Sequence, residues 1–203
     1  MNNTYTEKII MNSFQGNGNL IFLKGLNINT LEIKGKLTVL DDCNFEKFVF
    51  SGKAEVGNLL GNTLQLHGSI VGKNISAENI DIFGEFNLES ILGKNINIKG
   101  GNGHINSIKG DSISILGASE EDKRNAINGI DNIFKESFFK KISEYINFDK
   151  LKEHMNSEDS YIYIDKIVGR DIKLKNVIAN YVEGTNIEIL EGCKIKVLNK
   201  NNI

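Results

Sequence analysis

Two apolar residues one apart, followed two positions later by glycine, return through this chain at almost constant spacing. The copies are Leu31-Glu32-Ile33-Lys34-Gly35, Phe48-Val49-Phe50-Ser51-Gly52, Leu64-Gln65-Leu66-His67-Gly68, Ile80-Asp81-Ile82-Phe83-Gly84, Ile96-Asn97-Ile98-Lys99-Gly100 and Ile113-Ser114-Ile115-Leu116-Gly117. Their glycines step by 17, 16, 16, 16 and 17 residues. A fixed period in this range marks a solenoid, and the period-2 apolar pair inside each copy makes it a β-solenoid.

Aligned on the pair, each copy also has a small or apolar residue three positions earlier: Ile28, Phe45, Gly61, Ala77, Gly93 and Gly110. One full unit runs from Ala77 to Leu92. It reads as three short strands, around Ile80 and Ile82, Phe86 and Leu88, and Ile91, with tight turns between them. Alternation sends these residues inward and leaves Asp81, Asn87 and Glu89 in water. Glycine suits the corners, where positive φ or close approach between stacked coils excludes a Cβ. Asn62, Asn79 and Asn95 are read as corner residues as well, because asparagine tolerates a left-handed backbone. A single coil cannot bury its apolar residues, whereas stacked coils can, each inward side chain contributing roughly 1.5–3 kcal/mol.

After Gly117 the period fails. Gly169, followed by Ile172 and Leu174, lies 59 residues past Gly110, and Gly184 follows with Ile187 and Ile189. The excess over one 16-residue coil matches the length of Ala118 to Ser160. With that stretch removed, Gly117 joined to Tyr161-Ile162-Tyr163-Ile164 superposes on Gly84 to Leu88. The stretch itself reads as helical. Ser119-Glu120-Glu121-Asp122 resembles a capping box, and Ile127, Ile130, Phe134, Ile142 and Ile146 follow at helical spacing. The expected organisation is a polar N-terminal arm (1–18), a first part of the β-helix (19–117), a helical insertion (118–160), a continuation of the β-helix (161–198) and a tail (199–203). The expected fold is an all-β solenoid of about eight coils, roughly 40 Å long at ~4.8 Å per coil. Its period differs from the hexapeptide repeat of left-handed helices, so a right-handed β-helix is expected.

Little else in the chain points to chemistry. A formal net charge of -2 gives no reason to expect nucleic acid as a partner. Cys43 and Cys193 form no CxxC or Cys/His cluster and read as reduced thiols. No apolar stretch approaches the ~20 residues that cross a bilayer. His67, His104 and His154 are scattered, and are read as solvated surface residues. The glycine-rich runs Gly16-Asn17-Gly18 and Gly100-Gly101-Asn102-Gly103 complete no phosphate-binding motif. Asp81, Glu89, Glu32 and Glu55 form no acidic pair or ladder at the coil period, as glycosidase chemistry would need. No catalytic, cofactor or metal site is expected. Asparagine, isoleucine and lysine are abundant while proline and tryptophan are absent, and part of that bias is read as that of an AT-rich genome.

The physical interest lies at the ends. A terminal coil exposes unpaired backbone groups and an apolar cross-section, so end-to-end stacking would continue the ladder. Phe22, Ile189, Ile195 and Val197 are the candidate contacts for such self-association. The stretch Ile162-Tyr163-Ile164-Asp165-Lys166-Ile167-Val168-Gly169-Arg170-Asp171-Ile172-Lys173-Leu174 and the run Tyr181-Val182-Glu183-Gly184-Thr185-Asn186-Ile187-Glu188-Ile189-Leu190-Glu191-Gly192-Cys193-Lys194-Ile195 resemble the bactofilins, bacterial cytoskeletal proteins with a β-helix core. The resemblance covers about forty residues well and residues 20–117 through the shared period. It implies a cytoplasmic scaffold that polymerises without nucleotide through its terminal coils and associates with membrane through a short N-terminal segment; this chain departs from that pattern there, having only the short apolar cluster Ile9-Ile10-Met11. The other reading of the residues is a monomeric binding module that holds a protein or polysaccharide through the insertion or one solenoid face.

Overall fold

Alternating apolar pairs and glycine corners give a single parallel ladder wound on itself. A computed structural model describes residues 2–100, 102–118 and 161–201. The expected helical insertion lies, apart from Ala118, outside the described residues. Within them the chain forms β1 (Asn2–Tyr5), β2 (Ile9–Phe22), β3 (Leu26–Val39), β4 (Cys43–Gly100), β5 (Gly103–Gly117), β6 (Ile162–Lys175), β7 (Val177–Ile189) and β8 (Lys194–Lys200). All eight lie in one sheet in chain order, every neighbouring pair parallel. A strand of 58 residues such as β4 cannot be straight; it coils, and its residues pair with the turns before and after. The result is an all-β solenoid of about nine turns.

Each turn has three sides. In the turn from Phe86 to Ile98 the inward residues are Phe86 and Leu88 on the first side, Ile91 and Gly93 on the second, and Ile96 and Ile98 on the third. Asn87 and Glu89 point out, as alternation requires. Stacking these positions gives columns that run the length of the molecule. One passes through Leu31, Phe48, Leu64, Ile80, Ile96, Ile113 and Ile172, all buried. The register across the break is as the period requires: Gly93 pairs with Gly110, Gly110 with Gly169 and Gly169 with Gly184. Ile162 and Ile164 likewise take the positions below Gly103 and Ile105.

The structure departs from expectation in three places. First, the ladder begins before residue 19. Asn2–Tyr5 pairs with Asn19–Phe22, and Ile9–Phe22 pairs with Leu26–Val39, so the stretch read as a polar arm carries the opening of the solenoid. The apolar pair is disguised there because Gly16 holds the second inward position. A Cβ on Gly16 would come within 2.7 Å of the Phe14 ring, which fills the space itself. Second, Asn62, Asn79 and Asn95 do not take a left-handed backbone. Among the described residues Asn176 is the one non-glycine with positive φ, at 51°. It occupies the corner column of Gly100 and Gly117, and its side-chain amide donates to the Gly117 carbonyl at 3.1 Å. Third, asparagine has a structural use. Asn44 donates to Asn27, Asn29 to Asn12, Asn74 to Asn58 and Asn95 to Asn79 at 2.7–2.9 Å, always one turn apart. A primary amide can both donate and accept, as Asn58 does in taking a bond from Asn74 and giving one to Asp42.

Cys43 sits in a second-side column, paired with Leu26 and fully buried. Burial pushes its thiol up to about 12, so the reactive thiolate is scarce at neutral pH. Cys193 is half-buried in the last turn. A maleimide added to the folded protein at neutral pH should label Cys193 and spare Cys43 until denaturant is added. Equal labelling rates, read by intact-mass spectrometry, would contradict this packing.

Candidate self-association surfaces

In the interior every inward residue is covered by a turn above and a turn below. At the C-terminal end, among the described residues, this stops. β7 brings Ile187 and Ile189 over Ile172 and Leu174, and nothing described lies over them. β8 then lays Ile195 over Ala179 and Leu198 over Val182. The columns explain the change in exposure. Leu174 and Val182 are fully buried, whereas Ile189 is 41% and Leu198 44% exposed. Ile187, Cys193 and Ile195 pack against the core from one side only. These side chains form an apolar cross-section bordered by the free edge of β8.

The border of that surface is polar and fixed. Glu183 accepts a hydrogen bond from the Tyr181 hydroxyl at 2.8 Å and from the Asn201 side-chain amide at 3.2 Å. The Tyr181 bond, followed by that of Asn201, holds the Glu183 carboxyl below the usual carboxylate range. The Asn201 backbone N–H donates to the Gly184 carbonyl at 2.9 Å, tying the end of β8 to the turn beneath. Lys194, Lys196 and Lys200 punctuate β8. Lysine on an edge strand opposes indiscriminate strand pairing.

The opposite end is covered in part. β1 lies over the first side of the opening turn, and the Tyr5 ring stacks on Phe22 with centroids 4.8 Å apart and planes 7° from parallel. Ile9, Met11 and Phe14 on the other two sides pack against the core and remain half-buried.

The four residues singled out from sequence therefore separate. Ile189 and Ile195 lie in the exposed C-terminal cross-section. Val197 pairs with Tyr181 in an outward column, at the rim of that surface. Phe22 is 0% exposed beneath Tyr5 and is core, so it offers no contact. Ile187 and Leu198 belong to the surface but escaped the sequence reading. The signal for Leu198 was present: Ile91, Ile108, Ile167, Val182 and Leu198 are successive members of one column.

The titratable residues that might have carried chemistry also have places. His67 is exposed on the third side, with its ring 6.0 Å from Phe83. His104 lies in β5, paired with Tyr163, and its Nε2 is 3.6 Å from Asp165 Oδ2. The Asn180 amide donates to both Tyr163 Oη and Asp165 Oδ1 at 2.8 Å. His154 lies outside the described residues. Asp81 accepts from Asn97 at 3.0 Å and Glu32 from Gln15 at 3.3 Å, each in its own turn-to-turn contact. Among the described residues no three metal-ligating side chains converge, and no helix is long and apolar enough to cross a membrane. No family model, curated protein or solved structure matches the chain, so the surfaces are read on their physical chemistry alone.

Proposed function

We propose that this chain is a non-enzymatic structural protein that self-associates through its terminal β-helix turns, a bactofilin-like scaffold element of the cytoplasm needing no nucleotide. The observation that carries the reading is the C-terminal cross-section, where columns buried throughout the interior end in Ile187, Ile189, Ile195 and Leu198, with no further turn upon them among the described residues. A second copy is the natural cover. It brings a matching cross-section and a matching strand edge, so docking buries the apolar columns and continues the backbone ladder. On this reading the helix is right-handed, the sense that parallel strand crossovers favour.

The test is sedimentation velocity at micromolar concentration without nucleotide, beside negative-stain microscopy. Wild-type protein should form species larger than a monomer. Ile195→Glu would bury a charge in the contact and should weaken association by at least about 3 kcal/mol, over 100-fold in Kd. Its circular dichroism should stay that of a β-sheet protein. Wild-type protein that remains monomeric throughout, or an Ile195→Glu variant that assembles as well as wild type, would count against the C-terminal turn as the contact.

A further inference from the structure

The first side of the solenoid carries its outward charges in two bands. Lys36 pairs with Lys53 in the next turn, and Lys73 stands across the same face one turn further on. The turn after that presents Glu85 and Glu89. The bonds from Asn74 to Asn58 and from Ser90 to Asn74 fix the step between these turns at 16 residues. Lys53, Ser69 and Glu85 therefore form one outward column, Glu55, Val71 and Asn87 a second, and Gly57, Lys73 and Glu89 a third. Lys53, Lys73, Glu85 and Glu89 are all exposed, and among the described residues none of them makes a hydrogen bond or ion pair. Val71, between the bands, is 45% exposed. Leu40, one turn before Gly57, is also exposed.

We propose that this face pairs with the same face of a second copy lying antiparallel, about a two-fold axis at the level of Val71. Such an axis, lying between the two faces and across the solenoids, sets each column against itself in reverse order. Lys53 then faces Glu85 of the second copy, and Glu85 faces its Lys53. Val71 meets Val71. Glu89 of the second copy faces Gly57, where the missing side chain leaves it room. Each Lys73 is thus flanked by its own Glu89 and by that of the second copy.

Other arrangements lose this match. Slid by one turn in one direction, Val71 meets Glu55 and Leu40 meets Glu89. Slid the other way, Val71 meets Asn87 and Leu40 meets Asp165. A parallel copy would set Glu85 against Glu89. The order of charges along the face therefore selects one partner orientation and one register. Three outward columns over about seven turns cover roughly 500 Å² of each copy, so the pair buries ~1,000 Å² in all, the low end for a specific contact. Single rods pair weakly through it, and rods joined at their ends would repeat it along their length. The contact uses a side, so it stands whether or not the ends associate.

The experiment uses the full chain carrying Ile195→Glu, which removes the end contact, and Cys193→Ser, which leaves only the buried Cys43. Val71→Cys is added to this protein, which is then treated with a short bismaleimide at submillimolar concentration. Cross-linked dimers should form, because a residue on a two-fold axis meets itself. Leu92→Cys, at a comparably exposed position on the second side, should stay monomeric. Lys53→Glu with Lys73→Glu should lower the yield of Val71→Cys dimers at least about tenfold, with an unchanged melting curve. Adding Glu85→Lys and Glu89→Lys to that protein should restore it, since reversing both bands recreates the match. No dimer from Val71→Cys, equal dimers from Leu92→Cys, or a yield indifferent to the charge reversals would overturn the proposal. So would co-sedimentation of this face with phosphatidylglycerol vesicles, lost in Lys53→Glu with Lys73→Glu, in the absence of dimers.

Discussion

Ile98→Asp should leave most of the protein unfolded at room temperature. Ile98 is fully buried and lies in the third-side column that continues to Ile115 and Leu174. The substitution forfeits roughly 1.5–3 kcal/mol of burial. It also places a carboxylate where no cation or amide donor faces it, costing several kcal/mol more whether it stays charged or takes up a proton. The sum approaches the ~5–15 kcal/mol that holds a typical domain folded. In a solenoid each turn is held by its neighbours, so the damage spreads to the turns on either side. Asn97→Ser, one residue away and outward, loses only the amide bond to Asp81 and should cost about 1 kcal/mol or less. Urea melts of the two variants give the comparison. Equal midpoints would mean that the inward and outward positions had been exchanged.

Gly52→Val should be nearly as damaging, for a backbone reason. Gly52 has φ of 138°, a region side chains avoid, and a Cβ placed there runs into the carbonyl oxygen of Gly35 in the turn below. Neither problem can be relieved by turning a side chain, since the obstacle is main chain in a paired ladder. A loss above about 3 kcal/mol follows from the forced backbone and the clash together. Ser51→Ala, exposed next door, should be within about 0.5 kcal/mol of wild type. Thermal melts that place Gly52→Val beside Ser51→Ala would show that the corner does not need glycine.

The parts of this fold that the sequence displayed are those where one residue type repeats for one physical reason. Inward isoleucine and corner glycine repeat so, and they carried the period through the break to Gly169 and Gly184. What stayed hidden is where two residues share one job. Phe14 fills the place that Gly16 leaves empty, and so the opening turn did not show its apolar pair. At Gly103 the same exchange occurs, with the Phe86 ring occupying the room of a Cβ. Asn176 replaced glycine at a corner, which alternation alone cannot reveal. The amide ladders were invisible for another reason: a single asparagine looks like surface, and only the turn-to-turn register shows that its partner is another asparagine. The candidate contacts divided on the same principle. Ile189 and Ile195 follow from the columns, but Phe22 looked terminal only because β1 had not been recognised above it.

The break after Gly117 has a consequence for how such a chain can change. Gly110 and Gly169 pair as directly as Gly93 and Gly110 do, although one step spans 59 residues and the other 17. The backbone bonds that define that turn therefore take no account of how much sequence separates their partners. Residues gained or lost at this corner leave the registers on both sides untouched, so the corner can vary in length over generations while the ladder keeps its register.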